Sequence, residues 1–135
     1  MCLSDAEARR DNAGVARTPV NELPAYHAHV YFGADTVGQA EALVAQAAAL
    51  FGVTVGRVHR KLVGPHPQWS CQVAFSRQQF DDVVPWLDAH RAGLDILVHG
   101  LSGDDLADHT EHAYWLGREW PLSLDMFKTG GSTAG

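Results

Sequence analysis

Apolar and polar side chains alternate with period two from Tyr26 to Phe32. Tyr26, Ala28, Val30 and Phe32 fall on one side; His27, His29 and Tyr31 fall on the other. Pro24 stands at the entry and Gly33 at the exit, so the run reads as a β-strand. The pattern then changes to steps of three and four. Val37, Ala40, Val44, Ala47 and Phe51 form one helical stripe, with Thr36 and Gln39 as a capping-box pair and Gly52 in the position of a left-handed cap. Val53 to about Leu62 reads as a second strand. Val63-Gly64-Pro65-His66-Pro67 reads as a stiff turn, because each proline fixes its own φ and restricts the residue before it. Trp69–Phe75 is a third strand, with Cys71, Val73 and Phe75 on one face.

Ser76 and Gln79 repeat the capping-box pattern, and Phe80, Val83, Val84 and Leu87 give a second helical stripe. Pro85 inside it predicts a kink or a restart, and Gly93 an end. Leu94–His99 is a fourth strand. Ser102-Gly103-Asp104-Asp105 reads as a turn into a short helix running to about Trp115, and Pro121–Phe127 as one more extended piece. The order β-α-β-β-α-β is that of the ferredoxin-like split unit. The expectation is an α+β fold: a ferredoxin-like βαββαβ sandwich with an antiparallel sheet in the order 4-1-3-2. An extra C-terminal helix and extended segment follow it. Residues 1–22 read as a flexible N-terminal tail, 23–127 as a single domain and 128–135 as a flexible C-terminal tail.

Composition narrows the function. A chain of 135 residues has the length of one domain. Its net charge of −6, with no basic block, argues against a nucleic-acid partner. No apolar run is long enough to span a membrane, and the N-terminus lacks the apolar core of a signal peptide. Cys2 and Cys71 do not make a disulfide framework, so a reducing cytoplasm is the expected location. The anomaly is histidine, of which there are eight. Histidine is the commonest metal ligand among side chains and titrates near neutral pH.

Two histidines at i and i+2 on a strand lie roughly 7 Å apart at the backbone and can both reach one ion, each nitrogen about 2.1 Å away. In the 4-1-3-2 order the end of strand four lies beside the start of strand one, which brings His99 to His27 and His29. These three are the expected metal ligands. The helices cover the apolar sheet face. The histidine face is then either bare or covered by another subunit, and a homodimer, as a dimeric α+β barrel, is expected. His66 sits at the far end of the sheet from His99. It can join them only if its turn folds over the face or comes from a neighbouring subunit. His109 and His112 are one turn apart on the expected helix, more in keeping with a solvated face. His59 and His90 read as surface residues. No Gly-rich phosphate loop, CxxC pair or HExxH occurs, and Ser70 and Ser102 lack a nucleophile-elbow context.

Five separated segments, in order, carry a family resemblance: Tyr26–Phe32, Val63–Pro67, Val84-Pro85-Trp86-Leu87, Leu97-Val98-His99, and Asp108–Gly117. Together they resemble the DOPA 4,5-dioxygenase family over about residues 24–127. The resemblance implies a ferredoxin-like fold and extradiol ring opening of a catechol by O2 with a non-haem Fe(II). Its histidine motifs map onto His27, His29, His66 and His99. The site expected on this basis has His27, His29 and His99 on Fe(II), or on Zn(II) or another divalent ion as purified. His66, held on its stiff turn, and then His109 are the candidates for acid–base work. Tyr31, Trp69 and Trp115 are candidates to stack on the aromatic substrate. Two rivals stand beside it: a metal-dependent enzyme of another class, such as a hydrolase using metal-bound hydroxide, and a non-catalytic dimeric binding module on the same fold.

Overall fold

The computed structural model describes residues 20–128; of the expected tails at 1–22 and 128–135, residues 1–19 and 129–135 lie outside the described residues. The strands are β1 (Ala25–Phe32), β2 (Thr54–Val55), β3 (Trp69–Ser76), β4 (Ile96–Gly100) and β5 (Ala113–Leu116). The helices are α1 (Val37–Phe51), α2 (Arg77–His90), α3 (Asp105–Asp108) and α4 (Asp125–Lys128). The sheet runs β2-β3-β1-β4-β5 with every pairing antiparallel. The expected 4-1-3-2 arrangement is contained in this order, and a fifth strand extends it beyond β4.

That fifth strand corrects the expectation of a helix to Trp115. α3 ends at Asp108 and the chain re-enters the sheet at Ala113. All four residues of Ala113-Tyr114-Trp115-Leu116 are buried, because a strand covered on both faces shows no alternation. The extended piece expected over Pro121–Phe127 is irregular to Leu124 and then helical in α4. The second strand is also shorter than expected. Beyond Val55 only a single bridge, His59 to Ser70, ties the segment to β3.

α1 and α2 pack on one sheet face through Ala40, Leu43, Val44 and Ala47 and through Phe80, Val83, Val84 and Leu87. They meet Tyr26, Ala28, Val30, Cys71, Val73 and Val98 in a dry core. Each large aliphatic side chain removed from water there contributes about 1.5–3 kcal/mol. Ser76 and Gln79 form the expected capping box at α2. Thr36 and Gln39 do not form one: the Thr36 hydroxyl accepts from the Gly33 amide, and the Gln39 amide donates to Arg91 and Ala92 carbonyls. Pro85 does not interrupt α2, since it lies on the exposed side, where solvent can replace the missing donor. Among the described residues no helix is long and apolar enough to cross a membrane.

The other sheet face is neither bare nor dependent on a second subunit. Tyr31, Leu97, His99 and Trp115 are buried within the single chain. Its own irregular segments do this: the 63–67 turn, α3, and a strap from Gly117 to α4. The strap starts at Gly117, whose φ of 92° favours glycine and where a Cβ would overlap Asp95 and Arg91. The Asp95 carboxylate then accepts from the Arg118 amide and from the Trp120 indole, and the Ser123 amide donates to the Pro65 carbonyl. Strap and turn are thereby stitched to each other and to the sheet. A dimeric barrel is therefore not what buries this face.

Candidate metal centre

Strand register builds the centre. His27 pairs with His99 across β1 and β4, and His29 stands two residues along on the same face. One ring nitrogen from each of His27, His29 and His99 lies within 4.8 Å of the others; His27 is half-buried, the other two buried. Nε2 of His29 and Nε2 of His99 are 3.0 Å apart. Two donors bound at right angles to a common ion, each about 2.1 Å from it, would be separated by about 3.0 Å.

The surroundings suit a cation. Nδ1–H of His99 donates to the Gly100 carbonyl at 3.0 Å, which leaves the Nε2 lone pair free. Burial, then the neighbouring His109, hold His99 down to about 3. Burial, then His66, His99, His27 and His109, hold His29 well below the usual imidazole range. Burial and His109 lower His27, partly offset by Asp108. All three are therefore neutral at pH 7, the form that binds a metal.

The 63–67 turn folds over this face and brings His66 in. Its ring lies 4.2 Å from that of His29, and its Nδ1 lies 2.9 Å from the Tyr31 hydroxyl. Burial, then His109 and His59, lower His66 to about 4. His109 arrives from the end of α3, its ring 4.3 Å from His99 and 6.5 Å from His66. Its Nδ1–H donates to the Asp105 carbonyl at 2.8 Å. His27, His29, His66, His99 and His109 all line one cavity of about 340 Å³. Pro65, Leu101 and Phe127 give it apolar walls, and Gln72, Asp105 and Asp108 add polar ones. A smaller cavity of about 160 Å³ adjoins it, and His29, His66 and Gln72 line both.

The three expected stacking residues do not line the main cavity. Trp69 shares the parity of Cys71 and Val73, so it points to the helix face and packs on Phe32. Tyr31 and Trp115 are on the histidine face but lie beneath it, packed with Leu97, Ala113, Trp120 and Leu122. Burial raises the Tyr31 phenol well above its usual range. Phe127 is the aromatic wall instead, stacked on His109 at 4.8 Å. Asp108 was also hidden in the sequence. It is buried beside the centre, its carboxylate accepting from the Ser102 amide and hydroxyl. Gln72 could have been found, since it pairs with His29 across β1 and β3.

The chain resembles known proteins. The sequence profile of the Dopa 4,5-dioxygenase family matches residues 26–126. The chain belongs to that family. It is 30% identical over 113 residues to DOPA 4,5-dioxygenase of Amanita muscaria, a stretch covering 77% of this chain and 50% of that protein. It is 38% identical over 74 residues to an uncharacterized 21.2 kDa protein of Botryotinia fuckeliana, covering 49% of this chain and 40% of the other. The chain thus spans about half the length of the curated relatives it matches. A crystal structure from Nostoc punctiforme, of a protein named as a "putative dioxygenase", is 42% identical with a TM-score of 0.77, covering 83% of this chain and 97% of that one.

Proposed function

We propose that this family member is a non-haem, metal-dependent extradiol dioxygenase that opens the ring of a DOPA-like catechol with O2. The observation that carries this is the cluster of three histidine nitrogens that line a cavity large enough for one aromatic ring. His27, His29 and His99 hold a divalent ion, Fe(II) for this chemistry. When bound, the metal provides the electronic route by which O2 and the catechol react, both oxygen atoms entering the product.

The remaining residues bind the ring and move protons. Phe127, Pro65 and Leu101 offer apolar surface to the ring and narrow the room for water. The catechol must lose a proton on binding, and the ring opening needs an acid. His66 and His109 share that work, both lining the cavity and both carrying a ring nitrogen without a protein partner among the described residues.

The test is direct. The anaerobic chain is loaded with Fe(II), mixed with a panel of catechols and exposed to O2. Consumption of O2 together with a yellow ring-opened product is expected. A chain that hydrolyses esters or phosphates and consumes no O2 would be the hydrolase-type alternative. One that binds no metal and turns nothing over would be a binding module.

A further inference from the structure

We propose that Tyr31 is a positioning residue that fixes His66 in the tautomer protonated on Nε2, so that His66 presents that N–H to the cavity as a hydrogen-bond donor to a bound oxygen. In its catalytic part this rests on the dioxygenase reading; in its structural part it does not.

The inference comes from counting hydrogens. A tyrosine hydroxyl has one hydrogen to give, and a neutral imidazole has one N–H and one lone pair. Among the described residues, Nδ1 of His66 is the atom within hydrogen-bond reach of the Tyr31 hydroxyl, 2.9 Å away, and both groups are buried. If Nδ1 carried the hydrogen, the phenol would have to accept it, and the phenolic hydrogen would be left in the interior with no acceptor. A buried donor left unmet forfeits its hydrogen bond to water with nothing in exchange, so the fold disfavours it. The arrangement that satisfies both groups has the phenol donating to Nδ1. The hydrogen of His66 is then on Nε2, on the ring that lines the cavity.

His109 has the opposite wiring. A carbonyl can only accept, so the 2.8 Å contact from His109 Nδ1 to the Asp105 carbonyl places a hydrogen on Nδ1. One cavity therefore holds two imidazoles anchored through Nδ1 in opposite senses, His66 accepting there and His109 donating. Tyr31 itself does not line the cavity, because its ring is packed among His66, Trp115 and Trp120.

The experiment uses the full chain, labelled with 15N in histidine, without metal and again with Zn(II) added. Long-range 1H–15N correlations are expected to show His66 protonated on Nε2, with a hydrogen-bonded Nδ1. In Tyr31→Phe the Nδ1 resonance should move downfield toward that of a free imidazole. His66 protonated on Nδ1 in the unaltered chain would overturn the proposal without recourse to any variant, and so would an Nδ1 shift unmoved by Tyr31→Phe. In turnover, Tyr31→Phe should lower kcat about tenfold, roughly one orienting hydrogen bond. KM should stay within about twofold. An unchanged kcat would remove the positioning role. If no catechol is turned over by the unaltered chain, the dioxygenase reading fails, and the tautomer measurement still decides the structural part.

Discussion

The two faces of the sheet are covered by different kinds of structure. On one, two long amphipathic helices close a dry aliphatic core. On the other, a proline-rich turn, a single helical turn and an irregular strap close over histidines, and a cavity remains. The helix face supplies apolar area and little chemistry. The histidine face buries polar groups, which is tolerable only because neighbours or ligands satisfy them. The difference points to a division of labour: the fold is stabilised mainly on one side, and the other side holds the histidines and the cavity.

The largest expected effect comes from removing the middle histidine of the three. His29→Ala should abolish most divalent-ion binding while the circular dichroism spectrum stays native, since the helix-face core is untouched. Metal analysis showing unchanged stoichiometry would take His29 out of the ligand set. Next is His66→Ala, which should keep the metal and lower turnover by a factor on the order of 10² to 10⁴, the usual worth of a positioned acid–base group. Loss of metal in that variant would make His66 a ligand.

The third change is made on the opposite face. Leu87 is fully buried in the helix-face core, and Leu87→Ala should cost about 2–5 kcal/mol of stability. Metal bound per folded molecule should not change. If urea unfolding and metal affinity fall together, the two faces are coupled and the division of labour is wrong.

Acid should act on the histidine face alone. His66 and His99 are held to about 4 and about 3 in the folded chain, against 6.5 when exposed. Between those values the unfolded chain takes up protons that the folded chain refuses, so stability rises with pH across this window. The metal-free chain should keep a steady Tm above pH 7 and lose it progressively as pH falls below about 6.5. A double variant lacking His66 and His99 should show a flatter profile; an equal slope would place the acid sensitivity elsewhere.

The helix face was readable in the sequence because its periodicity is regular. The stripe Phe80, Val83, Val84 and Leu87 is the set that α2 buries. The meeting of His27, His29 and His99 was readable too, since it follows from strand order and register. The cover over the histidines was not. Whether the 63–67 turn folds back depends on contacts with residues far along the chain, Tyr31 at one end and Ser123 at the other. β5 was hidden because its four buried residues carry no period, and Asp108 because its burial depends on where Ser102 sits in the fold.

The smallest effect tests a stacking candidate that strand parity turns away from the cavity. Trp69 is an aromatic side chain one residue from Ser70, which lines the smaller cavity, so sequence alone makes it an attractive ring-stacking partner. Side chains alternate along a strand, however, and this parity sends Trp69 to the helix side, 6.3 Å from the Phe32 ring at a 73° tilt. An aromatic pair of that kind is worth about 0.5–1.5 kcal/mol beyond the area it buries. Trp69→Leu keeps an apolar side chain at the site and removes the pair, so a loss of about 1 kcal/mol in urea unfolding is expected. Catechol KM and kcat should each stay within about twofold, because the whole thickness of the sheet separates the indole from the cavity. A KM raised tenfold with stability unchanged would mean that substrate reaches the helix side of the sheet, and the separation of the two faces would fail at its least expected point.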